Sequence, residues 1–425
     1  MNPLPLCTFS TAPTNIPADQ LDQLIRHLVL QRGNDDATVA KLRALGQIRP
    51  TWPKFYIIPE PESSPSFRDE NTITAAIPTA TPWTNGVIFS RDQFQREIHP
   101  NKAWFLHGLD GRRLAAVNGD SKNYFYDMDP GNKEWQEYFW TKVQNEYVER
   151  LGARSFEIDN CHLSLNKIKR DYGGCTEYTD DAAYRAAWAA FLKRGREILG
   201  PDVIILPNAI EGKNGAISKD DFLAAGIDGY LDEAAIYSWV DYDVAIVPAS
   251  IIRNLLEMQR HVQAGVTVMA SFRGTAAYSG AYAYALFCMF VGETASFRYI
   301  APGAGYSTVA ILPECKLELG QPRGPFVVID GTTVQREFDH YLVKADLKNR
   351  TATYTPIDRA DPLTQVQQAL AALQRQHDDL KAAHDTTRSV ATAAQAQASE
   401  AAAAAAAALI EAQRPIVIEA TARRE

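Results

Sequence analysis

Two short runs end in acids at the spacing that acid–base chemistry on a strand end requires. They are Ser155-Phe156-Glu157-Ile158-Asp159-Asn160 and Gly229-Tyr230-Leu231-Asp232-Glu233. Side chains alternate along a strand, so Phe156 and Ile158 share one face while Glu157 and Asp159 share the other. In the second run Leu231 and Glu233 share a face, and Tyr230 and Asp232 the opposite one. If the Leu231 face lines the interior of a barrel, Asp159 and Glu233 reach one mouth. Two converging carboxylates suit glycosidic cleavage: one protonates the leaving oxygen and the other attacks the anomeric carbon or activates water. Asp159 is expected as nucleophile or base and Glu233 as proton donor; spacing leaves retention or inversion open. Glu157 lies one layer deeper, where a carboxylate needs a partner such as an arginine. Asp232, if it plays no part in the site, is a solvated loop acid; its role and that of Glu157 are left open by the sequence.

Residues that could hold a sugar surround these two runs. Trp52, Tyr237, Trp239 and Phe272 follow or flank strand ends, where an aromatic face can stack on a ring. His107, Asn160, Asn208 and Arg273 are polar groups positioned to bind hydroxyls, and Glu211 is a candidate loop acid in the cleft. This chemistry needs no metal and no organic cofactor. The patterns GxSxG, GxGxxG after a strand, Walker A and HExxH do not occur in the sequence.

The elements that must carry these residues alternate between short apolar runs and amphipathic stretches, the pattern of a parallel sheet wrapped by helices. Eight strands are expected, the number a closed barrel needs: Leu6–Ser10, Phe55–Pro59, Trp104–His107, Ser155–Asn160, Val203–Pro207, Gly229–Glu233, Thr267–Phe272 and Ser296–Ile300. Helices are expected over Ala18–Gln31, Asn132–Leu151, Thr179–Leu199, Ser250–Ala264 and Tyr278–Val291, the second capped by Asp129 with Pro130 at its first turn. The fold class is thus α/β, a (β/α)8 TIM barrel over 1–326, followed by a β extension at 327–357 with period-two alternation. A helical tail at 358–414 and a short extension at 415–425 complete the chain. The tail places Leu363, Val366, Leu370, Leu373 and Leu380 at 3-4 spacing with His377 and His384 on the same seam, then enters the run Ala401–Ala408. That is a coiled-coil register, and it implies a homo-oligomer, with a trimer expected.

Composition narrows the partners. A net charge of −8 offers no basic excess for a nucleic-acid backbone. No apolar run reaches membrane-spanning length, so no membrane contact is expected. The five cysteines are scattered without a CxxC pair, which speaks against a zinc site or a disulfide framework. Residues 1–15 lack the basic and apolar regions of a secretory signal. A polysaccharide-cleaving barrel on a helical stalk would suit a phage tail fibre or spike, a virion-associated depolymerase; a bacterial cytoplasmic enzyme is the other expectation for its location. A non-catalytic glycan-binding or structural particle protein is the alternative function.

Several stretches together resemble the GHL15-type glycosyl hydrolases, distant relatives of the polygalactosaminidase-like and alpha-amylase-like barrels. Trp104-Phe105-Leu106-His107 with Asp110-Gly111 is similar to that family's strand and DG turn. Asp127-Met128-Asp129-Pro130-Gly131-Asn132 with Trp135 resembles its MDPxNxxW helix start. Phe156-Glu157-Ile158-Asp159-Asn160 resembles GxFLDN, and Asp228-Gly229-Tyr230-Leu231-Asp232-Glu233 resembles DGxMxEG. Leu319-Gly320-Gln321-Pro322 and Arg336-Glu337-Phe338 resemble its closing segment. The resemblance covers most of residues 1–357 and none of the tail. It implies a barrel, polysaccharide hydrolysis, and Asp159 and Glu233 as the matching acids. Glu157 and Ala234 stand where the family has an apolar residue and a glycine.

Overall fold

The computed structural model describes residues 6–8, 25–28, 50–51, 94–117, 124–150, 155–210, 218–233, 235, 247–275, 278–304, 308–357 and 362–412. Trp52, Glu211, Tyr237 and Trp239, the strand expected over Phe55–Pro59 and the extension at 415–425 lie outside these residues. The chain divides into two units, Met1–Ile357 and Asp358–Glu425.

The first unit is built on eight parallel strands. In chain order they are β1 (Leu6–Thr8), β2 (Ile25–Leu28) and β3 (Pro50–Thr51), then, after a hairpin of β4 (Ala115–Val117) and β5 (Tyr124–Tyr126), β6 (Ser155–His162), β7 (Ile204–Ile210), β8 (Gly229–Asp232), β9 (Thr267–Arg273) and β10 (Ala295–Ile300). The sheet order is β2-β1-β10-β9-β8-β7-β6-β3, and every pairing is parallel. Strands therefore neighbour one another in sequence order, with β10 returning to β1. Between them run α1 (Lys133–Val143), α2 (Asn166–Tyr172), α3 (Asp181–Leu199), α4 (Asp220–Ala224), α5 (Pro248–Gln263) and α6 (Gly280–Phe290).

Three expectations are corrected. Ile25–Leu28, placed by its apolar spacing within a helix over Ala18–Gln31, is a strand paired with β1. Trp104–His107 is not a strand of the large sheet. Lys102–Trp104 forms a 3-10 turn, while Phe105 and His107 make isolated antiparallel bridges to Met128 and Arg113. A short apolar run meets its burial requirement there by packing under a loop: Phe105 stacks edge-on to Tyr126 and lies beneath the Arg113 guanidinium. The cap of α1 is Asn132, whose side chain accepts from Trp135 N at 2.9 Å, rather than Asp129.

Period-two alternation sorts the strand side chains into two layers. Phe156, Ile158, Ile205, Tyr230, Val268 and Phe297 join the main core with the helices. Cys7, Leu206, Leu231 and Met269 form a separate buried cluster on the other face of the strands. The helix layer is tightly fitted. A Cβ on Gly195 of α3 would lie 2.5 Å from the Trp140 ring of α1, and Trp140 Nε1 donates to Phe191 O at 2.8 Å.

A four-stranded antiparallel sheet follows, β11 (Val327–Val328), β12 (Thr333–Glu337), β13 (Tyr341–Asp346) and β14 (Thr351–Pro356). It seats on α6 through polar groups as well as packing. Arg336 Nη1 donates to the carbonyls of Cys288, Met289 and Val291 at 3.0–3.1 Å, satisfying oxygens that a helix end leaves without partners. Burial there pulls the Arg336 guanidinium down to about 10. Tyr354 OH donates to Ala281 O at 2.7 Å.

The described residues of the second unit form one helix, α7 (Pro362–Ala412), 51 residues long. Among the described residues no helix is long and apolar enough to cross a membrane.

Candidate functional site

In a sheet of this kind, the segments between each strand and its following helix gather at the C-terminal ends of the strands, and that face carries the chemistry. Glu233 stands there, immediately after β8. Leu231, two residues earlier, belongs to the inward cluster with Cys7, Leu206 and Met269, so the alternation that directs Leu231 inward carries Glu233 to the same side. Its neighbour on β7 is Asn208, whose Cα pairs with Leu231. Asn208 is 1% exposed and its Nδ2 donates to Glu233 Oε2 at 2.8 Å. A buried amide gripping one carboxylate oxygen fixes the orientation of the acid.

The next strand supplies an irregularity at the position where the second acid was expected. Along β6 and β7, Ile158 pairs with Pro207 and Cys161 with Ala209. Two residues of β6, Asp159 and Asn160, therefore span one residue of β7, Asn208. This is a β-bulge, a device that re-aims strand residues and recurs beside active sites. Pro207 fits the same account, since proline has no N–H for a regular ladder and is tolerated at bulges. The backbone of Asp159 and Asn160 is thus placed opposite the residue that holds Glu233. Adjacent strands lie roughly 4.8 Å apart, so β6 and β8, with β7 between them, are separated by about 10 Å.

Below this level the inward face is polar in part. Glu157 pairs in register with Leu206 of the inward cluster and is fully buried; Arg298, also fully buried, pairs with Ser271 on β9. Glu157 and Arg298 thus both lie on the face of the strands opposite the helix-side core. Cys7 hydrogen-bonds Ser296 and feels Arg298, but burial dominates and pushes its thiol up to about 11, so it is inert as a nucleophile.

A second polar cluster stands on the loops of the same face. His107 lies between β3 and α1, and Glu177 between β6 and α3. His107 Nδ1 is 2.8 Å from Glu177 Oε1, and the backbone N–H of His107 donates to both carboxylate oxygens at 3.0 and 3.2 Å. Burial pushes the Glu177 carboxyl up, but the hydrogen bonds from His107 outweigh it and hold the group below its ordinary value. Nearby, Tyr178 OH donates to Asp129 Oδ1, and Gly131 N donates to the same carboxylate at 2.9 Å. Burial nevertheless raises the Asp129 carboxyl above its usual range. The two loops are tied further by Thr176 N donating to His107 O at 2.9 Å.

Of the expected substrate-binding residues, Asn208 and His107 stand at the strand-end face, and Arg273 ends β9 partly exposed. Phe272 is corrected: it is 1% exposed and packs against Phe297 in the helix-side core, with ring centroids 5.3 Å apart. Alternation places Ser271 and Arg273 on the inward side and Phe272 opposite. Asp232 is corrected as well. It is buried on the helix side and pairs with Lys219 Nζ at 3.2 Å. Glu177 was not anticipated, because it lies in an irregular loop 70 residues from its partner and no local pattern marks it.

Among the described residues, Asp220, Glu257 and His261 form a group of metal-ligand composition, with ligand atoms within 4.8 Å of one another. Protein cations already serve it. Arg260 binds Asp220 at 2.8 Å, Lys219 Nζ lies 3.9 Å from Glu257, and His261 Nε2 is 2.9 Å from Asp220. The donor set fits an internal ion-pair network between α4 and α5 rather than an ion site.

Among solved structures, the glycoside hydrolase domain of PelA from Pseudomonas aeruginosa is similar at 12% identity, over 72% of this chain and 97% of that one, with a TM-score of 0.43. An alpha-galactosidase from Thermus thermophilus is similar at 16% identity, over 83% and 67% of the two chains, with a TM-score of 0.41. No curated protein matches the chain. The sequence profile of hypothetical glycosyl hydrolase family 15 matches residues 83–341, more than half of the chain. That span holds Glu233, Asn208 and the bulge at Asp159, runs through the strands from β6 to β10, and includes β12. A parallel α/β sheet with an acid held at its C-terminal face and a match of that length together place this chain in the hypothetical glycosyl hydrolase family 15.

Proposed function

We propose that the chain hydrolyses a polysaccharide with Glu233 and Asp159 as its two carboxylates, at the mouth of a (β/α)8 barrel. The observation that carries this reading is the Asn208–Glu233 bond at 2.8 Å beside the bulge at Asp159 and Asn160. Barrel closure is supported by the strand order, which is a round of eight in chain sequence interrupted only between β2 and β3. Glu233 is the proton donor to the leaving oxygen, with its carboxyl oriented by Asn208. Asp159 acts from the other side of β7 as nucleophile or base. His107, held by Glu177, and Arg273 offer hydrogen bonds to substrate hydroxyls. With a tail able to assemble, such an enzyme suits a virion fibre or spike that degrades a surface glycan. Release of reducing ends from a panel of bacterial surface polysaccharides tests the reading. Wild type should release sugar from at least one member, while Glu233→Gln and Asp159→Asn bind it without release. Binding by wild type without release from any member would replace hydrolysis with glycan binding.

A further inference from the structure

The helix α7 carries a heptad seam that starts in large apolar residues and continues into alanine. Taking Leu363 as position a, the a positions are Leu363, Leu370, His377 and His384, followed by Ala391, Ala398 and Ala405. The d positions are Val366, Leu373, Leu380 and Thr387, followed by Ala394, Ala401 and Ala408. No Asp, Glu, Lys or Arg occupies any of them, and the large apolar residues hold the heptad from Leu363 through Leu380 before the seam passes into alanine. A helix with no partner has no reason to hold this period, since a straight helix drifts about 20° per heptad against it. The described seam leucines are exposed, Leu370 by 57%, Leu373 by 62% and Leu380 by 71%. At 1.5 Å per residue the helix is roughly 75 Å long, and a seam about 10 Å wide offers on the order of 800 Å² per helix, the size of a stable interface.

We propose that this face is covered by two further copies of the same chain, in a parallel, in-register, three-stranded coiled coil, with His377 and His384 as the layers that fix register and strand number. The flanks favour the parallel arrangement. Positions e and g are mostly Gln and Ala, with Lys381 and Arg388 at e and Glu411 at g the charged residues among them. Parallel packing sets Lys381 and Arg388 against Gln376 and Ala383 of a neighbour at g. A centred antiparallel pair would bring Lys381 against Arg388 and set each His377 against Ala394, leaving a buried imidazole with no polar partner. Three parallel chains put imidazole on imidazole, and three rings with one donor and one acceptor nitrogen each can close a cycle of N–H···N bonds. Leucine at a with β-branched valine at d in the first heptad also turns assembly away from two strands. A polar a layer costs stability and gains specificity.

This assembly is independent of the hydrolytic reading, because the seam lies wholly in the second unit. The test is the mass of the full chain in solution by light scattering on a sizing column. The expected mass is three times 47.1 kDa, and a mass of one chain overturns the proposal. The double variant Leu370→Asp/Leu373→Asp should give single chains, while an unchanged trimer would place the contact elsewhere and sink the seam. Leu373→Cys should cross-link between chains on oxidation, as only a parallel register brings the two thiols together; no cross-link overturns the orientation. His377→Leu/His384→Leu should give a mixture of strand numbers with a higher melting temperature. A trimer left unmixed would remove the two histidines from their assigned role.

Discussion

A single carboxylate on an inward-facing strand position is easily mistaken for its neighbours, and the distinction between Glu233, Asp232 and Glu157 rests on where alternation sends each. Glu233→Gln keeps the shape and the Asn208 contact but removes the acid. Sugar release should fall by about 10²–10⁴-fold with the melting temperature unchanged. Asn208→Ala acts through Glu233: it frees the carboxyl to turn, and should lower kcat by roughly 10²-fold while leaving KM nearly unchanged. Rescue by Asn208→Gln would contradict this role, because the longer side chain moves the donor. Phe272→Ala should behave in the opposite way. Its ring belongs to the helix-side core, so the loss is about 3–5 kcal/mol of stability in denaturant titration, with sugar release per folded molecule retained.

At the scale of elements, the helix layer limits what the sheet can tolerate. Gly195 exists to let α3 approach α1, and Gly195→Ala drives a methyl into the Trp140 ring. The expected cost is about 1–3 kcal/mol, read as a lower melting temperature, although alanine is the better helix former. The network between α4 and α5 makes this layer sensitive to acid. Burial lowers the His261 imidazole below its ordinary value despite the pull of Asp220. Asp220 is lowered to about 2: burial opposes the shift, but His261, Arg260 and Ser218 outweigh it. A group whose folded value is depressed stabilises above its unfolded value and loses that contribution as pH falls. The His261 contribution should therefore fade below about pH 6.5, and that of Asp220 between about pH 4 and pH 2. Thermal melts across this range should show both steps, and His261→Asn should remove the upper one. The half-exposed Asp220 is partly screened, so its step should be the smaller.

For the whole molecule, the division at Ile357 separates the unit that holds Glu233 and Asn208 from the helix proposed to assemble. A chain ending at Ile357 should melt at the temperature of the full chain and hydrolyse the same substrate at the same rate per site, measured on a small soluble oligosaccharide. A drop in that rate would mean that the tail contributes to the site. If the proposed trimer forms, the full chain should bind a polymeric glycan more tightly than the chain ending at Ile357, since linked sites raise the effective concentration of one another; equal binding would count against it.

Periodicity in the sequence determined much of this. The six strand positions at Leu6, Ser155, Val203, Gly229, Thr267 and Ser296 match β1, β6, β7, β8, β9 and β10, because alternation and β-branched runs are local properties of the chain. The same alternation gave the inward direction of Leu231, and so the place of Glu233. Family motifs, read in order, gave the membership that the profile match establishes. Other features are not local and could not be read. Ile25–Leu28 has a helical spacing of apolar residues, and only its pairing with Leu6–Thr8 makes it a strand. Trp104–His107 has a strand-like composition, and only its burial beneath the loop at Arg113 and Tyr126 keeps it out of the sheet. The bulge at Asp159–Asn160 is a property of register between two strands, visible in neither alone. Likewise the Lys219–Asp232 and His107–Glu177 pairs join residues 13 and 70 positions apart, and the positions of partners so distant are decided by how helices and loops pack, not by the spacing of residues along the chain.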